Sequence, residues 1–289
     1  MNVRFIRYLC MAVLLALTGS CISDDLSDCP ASQYVVQISV KDKNYKNIED
    51  FPQLEFKEEN MPFYRFEGTV YYTLSESATR ARIRESAVMT VNGEDRTYSI
   101  IFNNIPEGEY ILTVWGNMTR EYSAGVLHQD NKEHTDIYMV SRTLRFDRTY
   151  QTTELSLERT KGLLLLFCSN FPTVVTSIEQ NINHLYQSVD ADFNYTGITN
   201  VEKRVPLQTA VTTLLAPTSE GVSNLKLRFY TDATRMTTPF LELPDMNLTI
   251  KRNEISAIAV DYKATDGVYE IWMFVQEQWT MIHLSLIHI

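Results

Sequence analysis

The residue with the clearest chemistry is Cys21. It closes the string Leu17-Thr18-Gly19-Ser20-Cys21, and LTGSC resembles the bacterial lipobox, in which the cysteine thiol is fatty-acylated before the chain is cut just ahead of it. Upstream stand Arg4 and Arg7 and an apolar run from Tyr8 to Leu17. That is the layout of a signal peptide, too short to span a bilayer as a permanent helix. Leucine falls four residues before the cysteine and Thr18 takes the place where leucine is commonest, so an ordinary signal peptide with Thr18 and Ser20 as its small residues is the alternative. Residues 1–20 are expected to be a removed leader and Cys21 the lipid attachment. No second apolar run of about eighteen residues follows, so the lipid is the membrane attachment the sequence offers.

Other residues have types that could do chemistry and spacings that argue against it. Cys29 and Cys168 accompany Cys21 in the mature chain; a disulfide between them is allowed in an oxidising compartment, and a buried free thiol at Cys168, in the apolar run from Leu163, is the other reading. His128 and His134 lie in HQDNKEH with Asp130 and Glu133, a spacing that matches no known metal site closely, so a solvated loop is expected. Asp190, Asp192 and Asn194 follow the first alternating ligands of a calcium loop, but Tyr195 stands where its glycine belongs and Val201 where its closing glutamate belongs. Trp115, Trp272 and Trp279 could form a stacking platform for sugars, although aromatics on alternating strands are more often core. No HExxH, paired CxxC, phosphate-cradling loop or GxSxG is present. Catalysis, a metal and a cofactor are therefore not expected, nor is a small-molecule substrate.

The elements that would hold these residues are strands. Short runs rich in Val, Ile, Thr, Tyr and Phe alternate with Asn, Asp, Gly and Pro, and helical periodicity is nearly absent. Candidate strands cover 34–40, 64–74, 87–91, 98–102, 110–115, 137–140 and 153–157, then 163–167, 178–185, 205–214, 225–230, 248–250, 255–262 and 269–275. Asn92-Gly93 and Pro106-Glu107-Gly108 supply turn chemistry. A boundary near Arg159 to Gly162 separates two all-β halves, and many short strands at near-regular spacing point to sandwiches. The segment Glu76 to Glu85, ESATRARIRE, breaks the pattern with Arg80, Arg82 and Arg84; it is expected to be a solvated loop or one short surface helix, with a trypsin-like cleavage site or a dock for an acidic partner as the sharper reading. The 26 basic and 36 acidic residues give a net charge of −10. Losing Arg4 and Arg7 with the leader takes it to −12, a surface that repels nucleic acid.

The last six residues, Leu284 to Ile289, read LSLIHI. The codons CTG TCT CTT ATA CAC ATC would encode them and spell a transposase end used as a sequencing adapter. Residues 284–289 are therefore expected to be a library artefact, with the natural protein continuing past His283.

Ser23, Asp24 and Asp25 resemble the acidic tether of surface-displayed Bacteroidota lipoproteins. The string Asp24-Asp25-Leu26-Ser27-Asp28-Cys29-Pro30, DDLSDCP, resembles the start of mature FimB-like fimbrial anchor subunits of Bacteroidales. Further segments are similar to the same family: IPEGEYILTVWGN from Ile105, FNYTG from Phe193 and IKRNEISAIAVD from Ile250. The resemblance implies two tandem transthyretin-like Greek-key β-sandwich domains, at 33–159 and 160–283, behind a tether at 21–32. It also implies a lipid-anchored protein of the outer membrane, exposed at the cell surface, that attaches a fimbrium and meets shaft subunits by strand complementation. A surface glycan-binding lipoprotein and a fimbrial tip adhesin are the competing expectations.

Overall fold

The computed structural model describes residues 33–52, 54, 68–91, 97–119, 123–147, 151–231, 238–263 and 268–286. The expected leader and tether, with Cys21 and Cys29, and the expected turn at Asn92-Gly93 lie outside these residues. The described chain is an all-β protein. Its helical content is one 3-10 turn, Ile48–Asp50.

The first eight strands are β1 (Gln33–Val40), β2 (Gly68–Glu76), β3 (Arg82–Glu85), β4 (Met89–Val91), β5 (Tyr98–Asn103), β6 (Gly108–Gly116), β7 (Tyr138–Phe146) and β8 (Gln151–Arg159). They form one sheet in the order β3-β2-β6-β7-β8-β1-β5, with β4 beside β2. β7 and β8 share only the pairs Tyr138↔Arg159 and Met139↔Glu158. At this short seam the sheet folds, and its two wings close on a common core. Ile38, Phe102 and Leu155 come from one wing, and Leu74, Leu112 and Val114 from the other. Strict alternation in β1 buries Tyr34, Val36, Ile38 and Val40, as a strand with one buried face requires.

The second set comprises β9 (Gly162–Ser169), β10 (Ser177–Val189), β11 (Tyr195–Pro206), β12 (Ala210–Leu215), β13 (Ser223–Tyr230), β14 (Leu241–Glu242), β15 (Met246–Leu248), β16 (Ile255–Lys263), β17 (Val268–Val275) and β18 (Gln278–Leu286). They make two sheets, β11-β10-β13-β14 with β15 beside β13, and β12-β9-β16-β17-β18. Between these sheets lie Leu164, Leu166, Ile178, Leu225, Phe229, Ile258 and Ile271. Both sets share a motif. The first strand pairs parallel with a late one, β1 with β8 and β9 with β16, and antiparallel on its other side with β5 or β12.

The unbroken run Leu163 to Phe167 has a physical cause. Leu164 and Leu166 face the sandwich core, while Leu163 and Leu165 face outward beneath Tyr45 and Phe51. Those two aromatics lie between β1 and β2, so the first half covers the outer face of the second. A strand buried on both faces has no polar side to alternate with.

Three expectations are corrected. Glu76 to Glu85 is neither loop nor helix but a hairpin, in which Ala81 O accepts from Glu76 N (2.8 Å) and β3 pairs with β2; Arg80 sits at φ 60, which ends any helix there. The expected strand over 205–214 divides into the end of β11 and all of β12, separated after Pro206, whose ring removes a ladder donor. β11 and β18 were not expected. β11 buries only Val201 and so carries little apolar pattern, while β18 runs on through Leu284–Leu286 as backbone.

Candidate functional site

The densest polar chemistry of the described chain lies between the two halves. In the connection from β6 to β7, residues 123–137 cross to the second half and dock on β10, β11 and the end of β12. Gly125 O accepts from Val189 N (2.8 Å), Leu127 N donates to Gln187 O (2.9 Å) and Asn131 O accepts from Glu202 N (2.7 Å). Asp130 and Asn131 at φ 54 and 57 form the tight turn that lets Gln129 and Lys132 bridge, residue types that tolerate the left-handed region. Trp115, Met118, Leu127 and Met139 of the first half pack with Val189 and Ala216 of the second.

At the crossover from β8 to β9, Arg159 is 3% exposed and gathers partners from both halves. Its Nε donates to Asp136 Oδ2 (2.7 Å), Nη2 to Tyr138 Oη (2.6 Å) and Nη1 to Asn253 Oδ1 (2.8 Å). The guanidinium lies 4.0 Å from the centre of the Tyr45 ring, and its backbone N donates to Asp42 Oδ2 (2.8 Å). Planar Arg suits such a multi-donor buried site better than Lys would. Burial raises the Asp136 carboxyl, and the Arg159 guanidinium works against that rise.

Two residues on, Lys161 is fully buried and donates to His134 O (3.1 Å). Burial lowers its ammonium to about 7, against the opposing pull of Asp136 and Glu133. Tyr195 Oη donates to Thr160 O (2.7 Å), and Thr160 N donates to Ile137 O (3.0 Å). The junction read in sequence as a boundary is therefore a buried ionic and hydrogen-bonded joint. Asp136, Arg159, Lys161 and Asn253 were missed as a group because their charges resemble an exposed linker and their partners are far away in the chain.

The residues singled out from sequence are placed as follows. His128 is buried, Nε2 accepting from Ala216 N (2.8 Å) and Nδ1 facing Lys132 O at 3.1 Å; burial holds its pKa well below the usual value. His134 Nε2 accepts from Gln129 N (3.1 Å). Glu133 pairs with Lys203 (2.5 Å) and accepts from Leu214 N (2.6 Å). Nε2 of both histidines and both carboxylate oxygens of Glu133 are thus engaged within the protein, and among the described residues no acidic, His and Cys group is arranged to hold a metal. The Asp190 carboxylate accepts from Asp192 N, Asn194 N and Asn194 Nδ2 at 2.8–3.0 Å, closing the turn a calcium ion would have organised.

Trp115 is core and Trp272 donates to Glu270 (3.3 Å), whereas Trp279 is 37% exposed, edge-on to Phe167 and Phe274. Core was the expectation, with a sugar platform as the alternative, and of the three rings only Trp279 is exposed. Cys168 is buried in the second-half core, and burial pushes its thiol up to about 12; Cys29 is outside the described residues. Arg82 pairs with Glu85 (2.7 Å), which also accepts from Tyr71 Oη, and Arg84 reaches Asn103 O (3.0 Å).

This fold is known from solved structures of fimbrial and adhesion proteins. The fimbrial anchor protein Mfa2 from Porphyromonas gingivalis is similar over 88% of this chain and 100% of its own, at 13% identity and a TM-score of 0.52. A structure described as that of polysaccharide-binding proteins from Bacteroides thetaiotaomicron is similar over 87% and 98%, at 12% identity and 0.55. A candidate adhesin from the same organism is similar over 88% and 99%, at 11% identity and 0.52. At such identities the likeness is one of fold. No protein-family profile and no curated protein matches the sequence.

Proposed function

We propose that the chain is a lipid-anchored fimbrial subunit that attaches a fimbrium to the outer membrane through acylated Cys21 and engages shaft subunits by β-strand complementation. In this reading residues 21–32 are the tether, and 33–159 and 160–283 are two transthyretin-like sandwiches. The observation that carries it is the fold shared with the whole length of a fimbrial anchor protein, in a chain whose lipobox-like string supplies an attachment point. A non-enzymatic role is supported by neighbours described as anchor, adhesin and polysaccharide-binding proteins. Cys21→Ser in the native bacterium tests the anchor. Fibres and protein should pass into the medium, whereas retention of both in the membrane fraction overturns it.

Exposed Trp279 favours a second reading, a surface glycan binder. The Cys21→Ser chain applied to a glycan array should then give a signal that Trp279→Ala removes. A blank array removes this reading.

A further inference from the structure

Two open depressions adjoin where the halves meet. One, of about 650 Å³, is walled by Glu158 of the first half and by Phe193, Tyr195, Pro217 and Arg252 of the second. The other, of about 660 Å³, lies between Lys46 and Asp50 of the first half and Asn247, Glu254 and Ser256 of the second. Thr249 and Lys251 line both, so the two make one groove with walls from both halves. Either alone has the size of a small-ligand site; joined, they suit a chain.

The walls are fixed, and their backbone is spent on itself. Asn47 Nδ2 donates to Ile255 O (2.9 Å), Asn47 Oδ1 accepts from Ile255 N (2.8 Å), and Lys46 N donates to Asn253 O (2.9 Å). Across the other wall Thr218 N donates to Ile250 O (3.0 Å) and Ile250 N to Thr218 Oγ1 (2.8 Å). An added peptide strand would find no free ladder on these segments, so a ligand meets side chains. Arg252 is the best prepared of them. Its guanidinium lies 4.4 Å from the centre of the Phe193 ring and its Nη2 donates to Glu158 Oε2 (2.7 Å), while among the described residues its Nε and Nη1 have no partner. Glu158 is held in turn by Lys41 (3.2 Å).

A planar guanidinium steadied on an aromatic ring can donate to two neighbouring hydroxyls, and the remaining lone pairs of Glu158 can accept from a third. In the other depression Asn247 is exposed, with Nδ2 free among the described residues. Three cationic and four carboxylate side chains line the groove, a near balance in a protein of net charge −10. Such a lining offers many hydrogen bonds and no net attraction for an anion. We propose that the groove binds an extended neutral polysaccharide, one sugar seated at Arg252 and Glu158 and the chain running past Thr249 to Asn247. The inference deepens the glycan-binding reading and rests on it for the class of ligand, but moves the contact from one exposed ring to a groove between the halves.

The probes are hexasaccharides of glucose, mannose, galactose and xylose, with hexagalacturonate as the anionic comparison, titrated calorimetrically into the purified Cys21→Ser chain. At least one neutral hexamer should bind at millimolar concentration or below. Its trimer should bind about tenfold more weakly or worse, because it fills one depression only. Thr249→Trp, at an exposed position shared by both depressions, should abolish binding. Arg252→Lys keeps the charge and loses the fork, and should weaken binding about tenfold. The proposal is overturned if no neutral hexamer binds, if hexagalacturonate binds more tightly than all of them, or if the trimer equals its hexamer. Binding that survives both Thr249→Trp and Arg252→Lys also overturns it. If Trp279→Ala then removes that binding, the glycan reading stands and the groove alone falls.

Discussion

At the scale of single residues, the joint between the halves makes opposite predictions for its two cations. Arg159 is paired, so Arg159→Leu leaves Asp136 buried without its counter-charge and should lower stability by about 3–5 kcal/mol in chemical denaturation. Replacing Asp136 with Leu as well should recover much of that loss. Lys161 has no direct carboxylate contact among its bonds. Its pKa is about 7 folded and near the ordinary 10.4 unfolded. Below pH 7 both states hold the proton and the burial penalty is complete; as pH rises toward 9.5 only the unfolded state keeps it, so stability should increase, by several kcal/mol at ~1.4 kcal/mol per pK unit. Lys161→Met should flatten that rise and be more stable than the parent at pH 7. Neither role was legible in Arg159-Thr160-Lys161-Gly162, because what buries those charges is Asp136, Tyr138 and Asn253, brought in by tertiary structure. Cys168 was legible only as two alternatives, since one apolar run serves a core thiol and a disulfide equally well.

At the scale of elements, most strands could be read because one buried face imprints alternation, as in β1 and β13. The exceptions have local causes. β3 is exposed along its whole length and β11 buries one apolar side chain, so neither carries a hydrophobic period to detect. The docking of the β6–β7 connection also left no pattern, apart from Gly125. That residue stands at φ +83 with the space for a Cβ filled by Val189 O, at 2.2 Å. Gly125→Ala should cost about 1–3 kcal/mol for the backbone conformation alone, and more from the clash. Proteolysis should then open the 117–137 segment while the sandwich cores stay intact. Unchanged digestion would mean that the segment is held mainly by its apolar contacts.

At the scale of the whole molecule, the two halves are joined on two sides. Tyr45, Ile48, Phe51 and Leu54 cover the outer face of β9 and β16, and the described part of the β6–β7 connection covers β10 and the end of β12. Calorimetry of the mature chain should therefore give one unfolding transition rather than two; two separated peaks would show halves that melt independently. The parallel pairing of β1 with β8, seven residues long from Tyr34↔Gln151 to Val40↔Leu157, is repeated by β9 and β16 from Ile255↔Leu163 to Asp261↔Ser169. In the first half the chain enters at the start of β1 and leaves at the end of β8; in the second, β9 opens the half and β16, followed by β17 and β18, lies parallel beside it, so pulling at the start of β9 and the end of β16 loads that pair lengthwise. Tension along the chain would thus slide the two strands past each other lengthwise and strain the whole ladder together, instead of peeling it one bond at a time. Stretched from Gln33 and Lys263 in a single-molecule instrument, the protein should resist as a sheared sheet does, with a high rupture force for each half. A low, unzipping-like plateau would mean that the seam between β7 and β8 yields first.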